Sequence, residues 1–497
     1  MELEQNLTHL NCYDTIMDTS FLREETMELI VPDSSPDILR VVDTCCTLYL
    51  ERKEAAEGRT TLSGTAKATV LYEPDGEEGM CRLELNIPWN CAADQADITP
   101  KCKLIASPRP LSAETRLLNP RKVLVRIEFV MALRIFAPQT ASICTGVVYD
   151  GETGVQQRKA SHRAYFATTI QEKPFHFSDE LAISGSKPAL KRLLRSRAEV
   201  VPGDAKIIGT KLIIKGEVHL HLLYSSRDDA LCTARFELPY SQIMEAPGVE
   251  EDAVPALEVL ITELSCQPEH DEEGRQIAVS MDLLAQAVVR EERTVEMLAD
   301  LYSTMYEIRF DRTPYTFYSV SDNGVSRQSL RELVESVEGI GTVVDAYVTV
   351  GHTKKGREGK ESVLSAEARV SLLCITEDGR TCCIKRTIPA AHRLQTGEGS
   401  TVLFDCIPGG ECAATPSAGG VEVRLALDFQ YCIMAAHQVA SLSELVLDET
   451  APRDTAGKPS VVLRTVEEGE GLWEIARDYA TTMEDIMLAN GMEEEEP

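Results

Sequence analysis

His219 and His221 stand two residues apart, which puts both imidazoles on one face of an extended strand, a spacing suited to holding a divalent metal. Cys81, Cys232 and Cys382 each open an apolar alternating run, and three thiolates brought together could make a redox or metal triad. GHTKKGRE from Gly351 has the glycine spacing of a phosphate-cradling loop but lacks the Lys-Ser/Thr ending that grips phosphate and magnesium. Trp473, one of only 2 tryptophans, could stack on a sugar ring. No GxSxG elbow, HExxH helix, GxGxxG turn or CxxC pair occurs, and the vicinal pairs Cys45-Cys46 and Cys382-Cys383 point their side chains apart on any regular element.

The elements that would position these residues recur along the chain. LSGTAKATVLYEPDG at 62–76, IKGEVHLHLLYSSRD at 214–228 and LSAEARVSLLCITED at 364–378 align without gaps. MCRLELNIPW, LCTARFELPY and TCCIKRTIPA follow them, with Pro88, Pro239 and Pro389 in register. A third echo is the alternating set Val123, Val125, Ile127, Phe129, matched by Ile277, Val279, Met281, Leu283 and by Val423, Leu425, Leu427, Phe429. In the first block Ala68, Val70 and Tyr72 share one strand face, as do Leu220, Leu222, Tyr224 and Val370, Leu372, Cys374. Turns rich in Gly, Asp and Ser join the first block to the second as β-hairpins. Upstream, PDILRVVDT, PALKRLLRS and QSLRELVES have helical spacing, and a short helix is expected in each unit; the third unit reads as longer by the charged insertion GHTKKGREGKES.

The repeats decide between readings of the reactive residues. Lys67 and Thr69, and Arg369 and Ser371, occupy the places of the two histidines, so that face reads as the polar side of the hairpin and no metal is expected. The three cysteines hold equivalent places in three units and read as small packed hydrophobes, reduced and free. No catalytic residue, cofactor or metal is expected.

Acidic residues outnumber basic ones by 80 to 50, a formal charge of −30 that repels nucleic acid. At 43% hydrophobic and 26% charged, the chain is ordinary globular material, long enough for about three domains. The start MELEQNLTHL has no basic-then-apolar leader, and VLVRIEFVMALRIF at 123–136 is broken by Arg126, Glu128 and Arg134, so a cytoplasmic chain without membrane insertion is expected.

Beyond the repeats, DETAPRDTAGKPS at 448–460 reads as a linker. Val462 to Val466 suggests a short strand, and Leu472, Ile475, Ala476 and Tyr479 fall on one helical face. Thr482 with Asp485 starts a second helix, which Asn490-Gly491 stops. EEEE at 493–496 reads as a solvated tail.

The roughly 150-residue units, carrying VPDSSPDILRVV and GTAKATVLY in the first and closest case, resemble the SPOCS repeat of endospore-envelope proteins over about residues 20–446. TVEEGEGLWEIARDYATTMEDIMLANG resembles the LysM module, with GEG where that family has GDT. The resemblance implies that Gly469, Glu470, Gly471 and Leu472 form one wall of an N-acetylglucosamine groove, and that Trp473, Ile475, Tyr479 and Asn490 are core or helix-end positions of the partner- or glycan-binding head. The second groove wall has no counterpart in EEEEP. The expected fold is mainly β: three tandem sandwich-like domains at 1–150 (core about 20–140), 151–298 and 299–447, each with a short helix, then the 448–460 linker and a truncated α/β LysM-like module at 461–497. SPOCS repeats with a carboxy-terminal LysM resemble the spore morphogenetic group of SipL and SpoVID. That implies a non-catalytic scaffold in the mother-cell cytosol, tethering coat to the forespore surface through an ATPase-type basement-layer protein. Peptidoglycan binding is the alternative, and a cytosolic enzyme the remaining one.

Overall fold

The computed structural model describes residues 3–149, 153–269, 273–453, 461–466 and 470–492. In the first unit a long strand β1 (Glu4–Ile30) leads into a meander of β2 (Ile38–Ala56), β3 (Arg59–Pro74) and β4 (Cys81–Asp94), and the chain returns through β5 (Lys103–Asn119) and β6 (Lys122–Val148). The strands sort into two antiparallel sheets, β2-β3-β4 and β1-β6-β5. The second unit repeats the order with β7 (Val155–Ala182), β8 (Leu190–Ile208), β9 (Lys211–Ser226), β10 (Leu231–Glu245), β11 (Val254–Pro268) and β12 (Gln276–Ser303). In the third, β13 (Tyr306–Glu335), β14 (Ile340–Glu358), β15 (Glu361–Thr376) and β16 (Thr381–Gln395) are followed by two short strands, β17 (Thr401–Pro408) and β18 (Ala413–Ser417). Both pair with the last strand, β19 (Gly420–Pro452).

Alternation builds each lobe. Ala68, Val70 and Tyr72 face Val125, Ile127 and Phe129 across the two sheets of the first unit. Leu220, Leu222 and Tyr224 meet Val279, Met281 and Leu283 in the second, and Val370, Leu372 and Cys374 meet Val423, Leu425 and Phe429 in the third. The mainly β fold is as expected; the short helix in each unit is not. PDILRVVDT and PALKRLLRS lie at the starts of β2 and β8, and QSLRELVES runs along the end of β13 to the residue just past it.

The physical reason is a pair of β-bulges. The pairing of β2 with β3 skips Leu39 and Val42, that of β8 with β9 skips Lys191 and Leu194, and that of β14 with β15 skips Gly341 and Val344. An extra residue every third position turns a period-two strand into a three-residue pattern that imitates a helix. Pro36 and Pro188 sit just before these strands, where no ladder donor is needed, and their carbonyls accept the hydroxyls of Tyr72 (3.3 Å) and Tyr224 (3.0 Å). The true third counterpart is IGTVVDAY from Ile340, which stands as far before Ala366 as Ile38 does before Gly64. GHTKKGREGKES is therefore no insertion; it spans the turn between β14 and β15.

Each lobe has its own core, but the units also join outside the lobes. One pairing, Tyr13 with Ala167, joins the large sheets of the first two units into a six-stranded sheet. Beyond the lobes, β1 with β6, β7 with β12 and β13 with β19 continue as two-stranded ribbons, and the ribbons pack on each other. Ile143, Met297, Phe317 and Val439 form one shared layer. Farther along, Leu3 and Val147 of the first unit join Leu298 and Leu301 of the second and Leu445 and Leu447 of the third. Three lobes thus share one stalk.

The carboxy-terminal helices are α1 (Leu472–Tyr479) and α2 (Met483–Asn490). Thr482 caps α2, its Oγ1 accepting from the Asp485 amide at 3.0 Å, and Gly491 ends it at φ 65°. Residues 448–452 of the expected linker continue β19, and 454–460 lie outside the described residues. Val462 to Val466 forms no strand.

Candidate functional site

Two places gather polar side chains from different units. The first is where the three small sheets converge. The bulge residues Val42, Leu194 and Val344 and the strand residues Leu71, Leu223 and Leu373 form one apolar cluster, a pair from each unit. β4 touches β8, β10 touches β14 and β16 touches β2, so the units close a ring about an approximate threefold axis. Arg192 donates to Cys81 Sγ (2.7 Å) from the second unit to the first, and its counterpart Arg40 donates to the Thr381 carbonyl (2.7 Å) from the first to the third.

On the axis, Arg195 donates to Asp43 Oδ2 at 2.6 Å and to Asp345 Oδ2 at 2.8 Å. The three residues hold the same bulge-following position in their units, and all are buried. Lys385 reaches the other oxygen of Asp43 at 3.0 Å. Burial alone would raise the Asp43 carboxyl, but Arg195 and Lys385 override it and hold it at about 2. Burial likewise opposes charge on Arg195, yet Cys45, Tyr347 and the two carboxylates keep it firmly protonated. Arg195 and Arg197 also lie over the Tyr347 ring, at 5.5 and 4.3 Å from its centre. This cluster binds the three units together.

The second place is the stalk tip, where α1 docks. Trp473 (6% exposed) stands edge-on to Tyr302 with ring centres 4.9 Å apart, and its indole N–H donates to Asp300 Oδ2 at 2.9 Å. Arg477, one turn on, donates to the same oxygen at 2.7 Å. Arg158 donates to Glu474 Oε1 at 2.6 Å and covers the Trp473 ring at 5.4 Å. The Tyr302 hydroxyl donates to the Thr481 carbonyl (2.8 Å), and Arg453 to the Arg477 carbonyl (3.1 Å).

The expected head residues divide sharply. Leu472, Trp473 and Ala476 are buried, so the face of α1 turned inward is the Trp473 face. Of the expected Leu472-Ile475-Ala476-Tyr479 face, Leu472 and Ala476 are buried, Ile475 is half-buried and Tyr479 is exposed beside Arg464. Glu470 pairs with Arg464, and the Gly471 amide donates to Glu474 Oε2 at 3.2 Å. Asn490 is exposed and donates to the Ile486 carbonyl at 2.8 Å. Gly469, Glu467, Glu468 and the 493–496 run lie outside the described residues.

Asp300, Tyr302, Arg158 and Arg453 escaped the sequence reading. The available signal was a lone acidic residue in the apolar run MLADLY. The axial triad left a clearer one, since VVD, LLR and VVD occupy matching repeat positions and carry opposite charges.

His221 sits between its cross-strand neighbours Arg197 and Arg235. Burial and the two guanidinium groups push its pKa down to about 4. This face is packed against a neighbouring unit rather than solvated, as is the matching Arg369, which donates to the Leu111 carbonyl at 2.7 Å. His219 lies near Glu217 at 3.5 Å. Burial raises the thiols of Cys232 and Cys382. Among the described residues no three His, Cys, Asp or Glu side chains group as a metal site. No helix there is long and apolar enough to cross a membrane.

No curated protein and no solved structure matches the chain. The SipL, SPOCS domain family matches residues 189–269, which run from the start of β8 to the end of β11 in the second unit rather than in the first, where the sequence placed the closest resemblance. The LysM domain family matches residues 465–495, and both families are non-catalytic binding domains. The chain therefore carries a SipL-type SPOCS domain and a carboxy-terminal LysM domain, the combined architecture of spore-envelope proteins.

Proposed function

We propose that the protein is a non-catalytic scaffold of the spore envelope, working in the mother-cell cytosol at the forespore surface. Its three-lobed body is a rigid platform, and its LysM head tethers an ATPase-type protein of the coat's basement layer. The observation that carries this reading is the joining of a SPOCS domain to a LysM domain on one chain. The formal charge of −30 supports it, because an acidic platform is steered toward basic protein patches while gaining nothing from a neutral sugar. The test uses the intact chain and a chain ending at 453 as baits in sporulating lysate. Capture of a coat ATPase by the first and its loss with the second is the expected result.

A second reading, peptidoglycan binding, is favoured by the LysM match itself, since LysM domains bind N-acetylglucosamine polymers. Co-sedimentation of the intact chain with purified sacculi, together with no ATPase captured, would replace the first reading with this one.

A further inference from the structure

The LysM head spends its most distinctive side chain on its own body. Trp473 and Ala476 are the apolar centre of α1, and what they touch is Tyr302 near the end of β12, with Met483 and Ile486 of α2 alongside. Helix α2 buries no residue of its own, and among the described residues the one buried apolar cluster that joins the two helices is this one, completed by Tyr302 of the stalk. The polar rim is equally committed to the body. Asp300, 3% exposed, takes the indole N–H and the Arg477 guanidinium on one oxygen, while Arg158 pairs with Glu474. A carboxylate buried this deeply needs those donors, so undocking the head would strip Asp300 of two of its partners.

We propose that the stalk tip is a self-docking site that holds α1 shut as an autoinhibitory latch, and that a partner taking the Trp473 face must first displace it. This rests on the reading of the head as the tether. The expected groove wall is tied to the docked rim through one carboxylate: Glu474 accepts from the Gly471 amide within the head and from Arg158 of the stalk. The latch is ionic at its edge and aromatic at its centre, so a basic or charge-bearing competitor loosens it from the rim inward. With the open form a minor population, apparent affinity falls by that fraction, and opening the latch restores it.

The test uses the full chain. Arg158 is a surface residue, so Arg158→Glu sets a carboxylate against Glu474 without disturbing the stalk core. The double variant Arg158→Glu with Glu474→Arg restores the pair in reverse. Trp89 is fully buried in the first lobe, so a change in acrylamide quenching reports Trp473. Binding is measured to two probes, the purified coat basement ATPase and peptidoglycan sacculi. The expected result is low quenching in the wild type, severalfold more in Arg158→Glu with about tenfold tighter capture of the ATPase, and a return of both in the double variant.

Free quenching of Trp473 in the wild type would overturn the docking. An opened head that binds no tighter would overturn the latch while leaving the tether reading in place. If sacculi rather than the ATPase show the tenfold gain, the latch stands and the coat-tether reading falls. Capture of neither probe by either chain overturns both.

Discussion

Burying a guanidinium between two carboxylates costs several kcal/mol in desolvation unless each charge is answered, and Arg195 answers Asp43 and Asp345 together. Replacing Arg195 by Met leaves Asp43 with Lys385 but strands Asp345. The expected cost is about 3 kcal/mol in denaturant unfolding, and adding Asp345→Leu should recover at least half of it. An unchanged midpoint in Arg195→Met would show that the triad contributes nothing. Asp43 adds a pH signature of defined sign. Its carboxyl is held at about 2, below the roughly 3.9 of an unfolded aspartate. Its contribution is therefore complete above about pH 4 and drains away as the pH falls toward 2, a difference of roughly 2 kcal/mol that Asp43→Asn should abolish.

The paired bulges at the start of β2, β8 and β14 set the limit of what the sequence discloses. Residues such as Val70, Leu222 and Leu372 alternate cleanly, and the two-sheet lobe is legible from them. The bulge segments ILRVVD, LKRLLR and IGTVVD lose that alternation because each carries two extra residues, so propensity suggests a helix where tertiary pairing imposes a strand. The head helices and their caps are legible for the opposite reason: Thr482, Asp485 and Gly491 act within one or two turns. What Trp473 packs against is not legible, because Asp300 and Tyr302 lie far away in sequence. The rung Arg197–His221–Arg235 across β8, β9 and β10 gives a test at this scale. Its imidazole titrates near 4 in the folded chain against about 6.5 unfolded, so stability declines as the pH falls from about 6.5 to 4. His221→Ser, the residue found at the matching Ser371, should flatten that part of a stability-against-pH curve. An unaltered slope would mean that the imidazole is not enclosed between its neighbours.

Three units that each own a lobe core yet share an axial cluster and two stalk layers should not behave as beads on a string. Leu194 and Leu223 of the second unit are buried against the bulges of the other two, and Val295, Leu298 and Leu301 are buried among their ribbons. Cutting the unit out exposes that apolar set all at once. Nor can one unit rebuild the ring from copies of itself, although it carries both complementary faces, because three Arg195 or three Asp43 side chains would then meet on the axis. Only the mixed set balances the charge, which ties the ring to this order of unlike repeats. The intact chain should accordingly melt in one calorimetric transition, its van't Hoff and calorimetric enthalpies agreeing for the body. Residues 153–303 expressed alone should show no cooperative melt and should bind a dye that reports exposed apolar surface. Three resolved transitions, or a sharp melt from the isolated unit, would mean that the stalk and axis contacts are weak and that the lobes are the independent folding units.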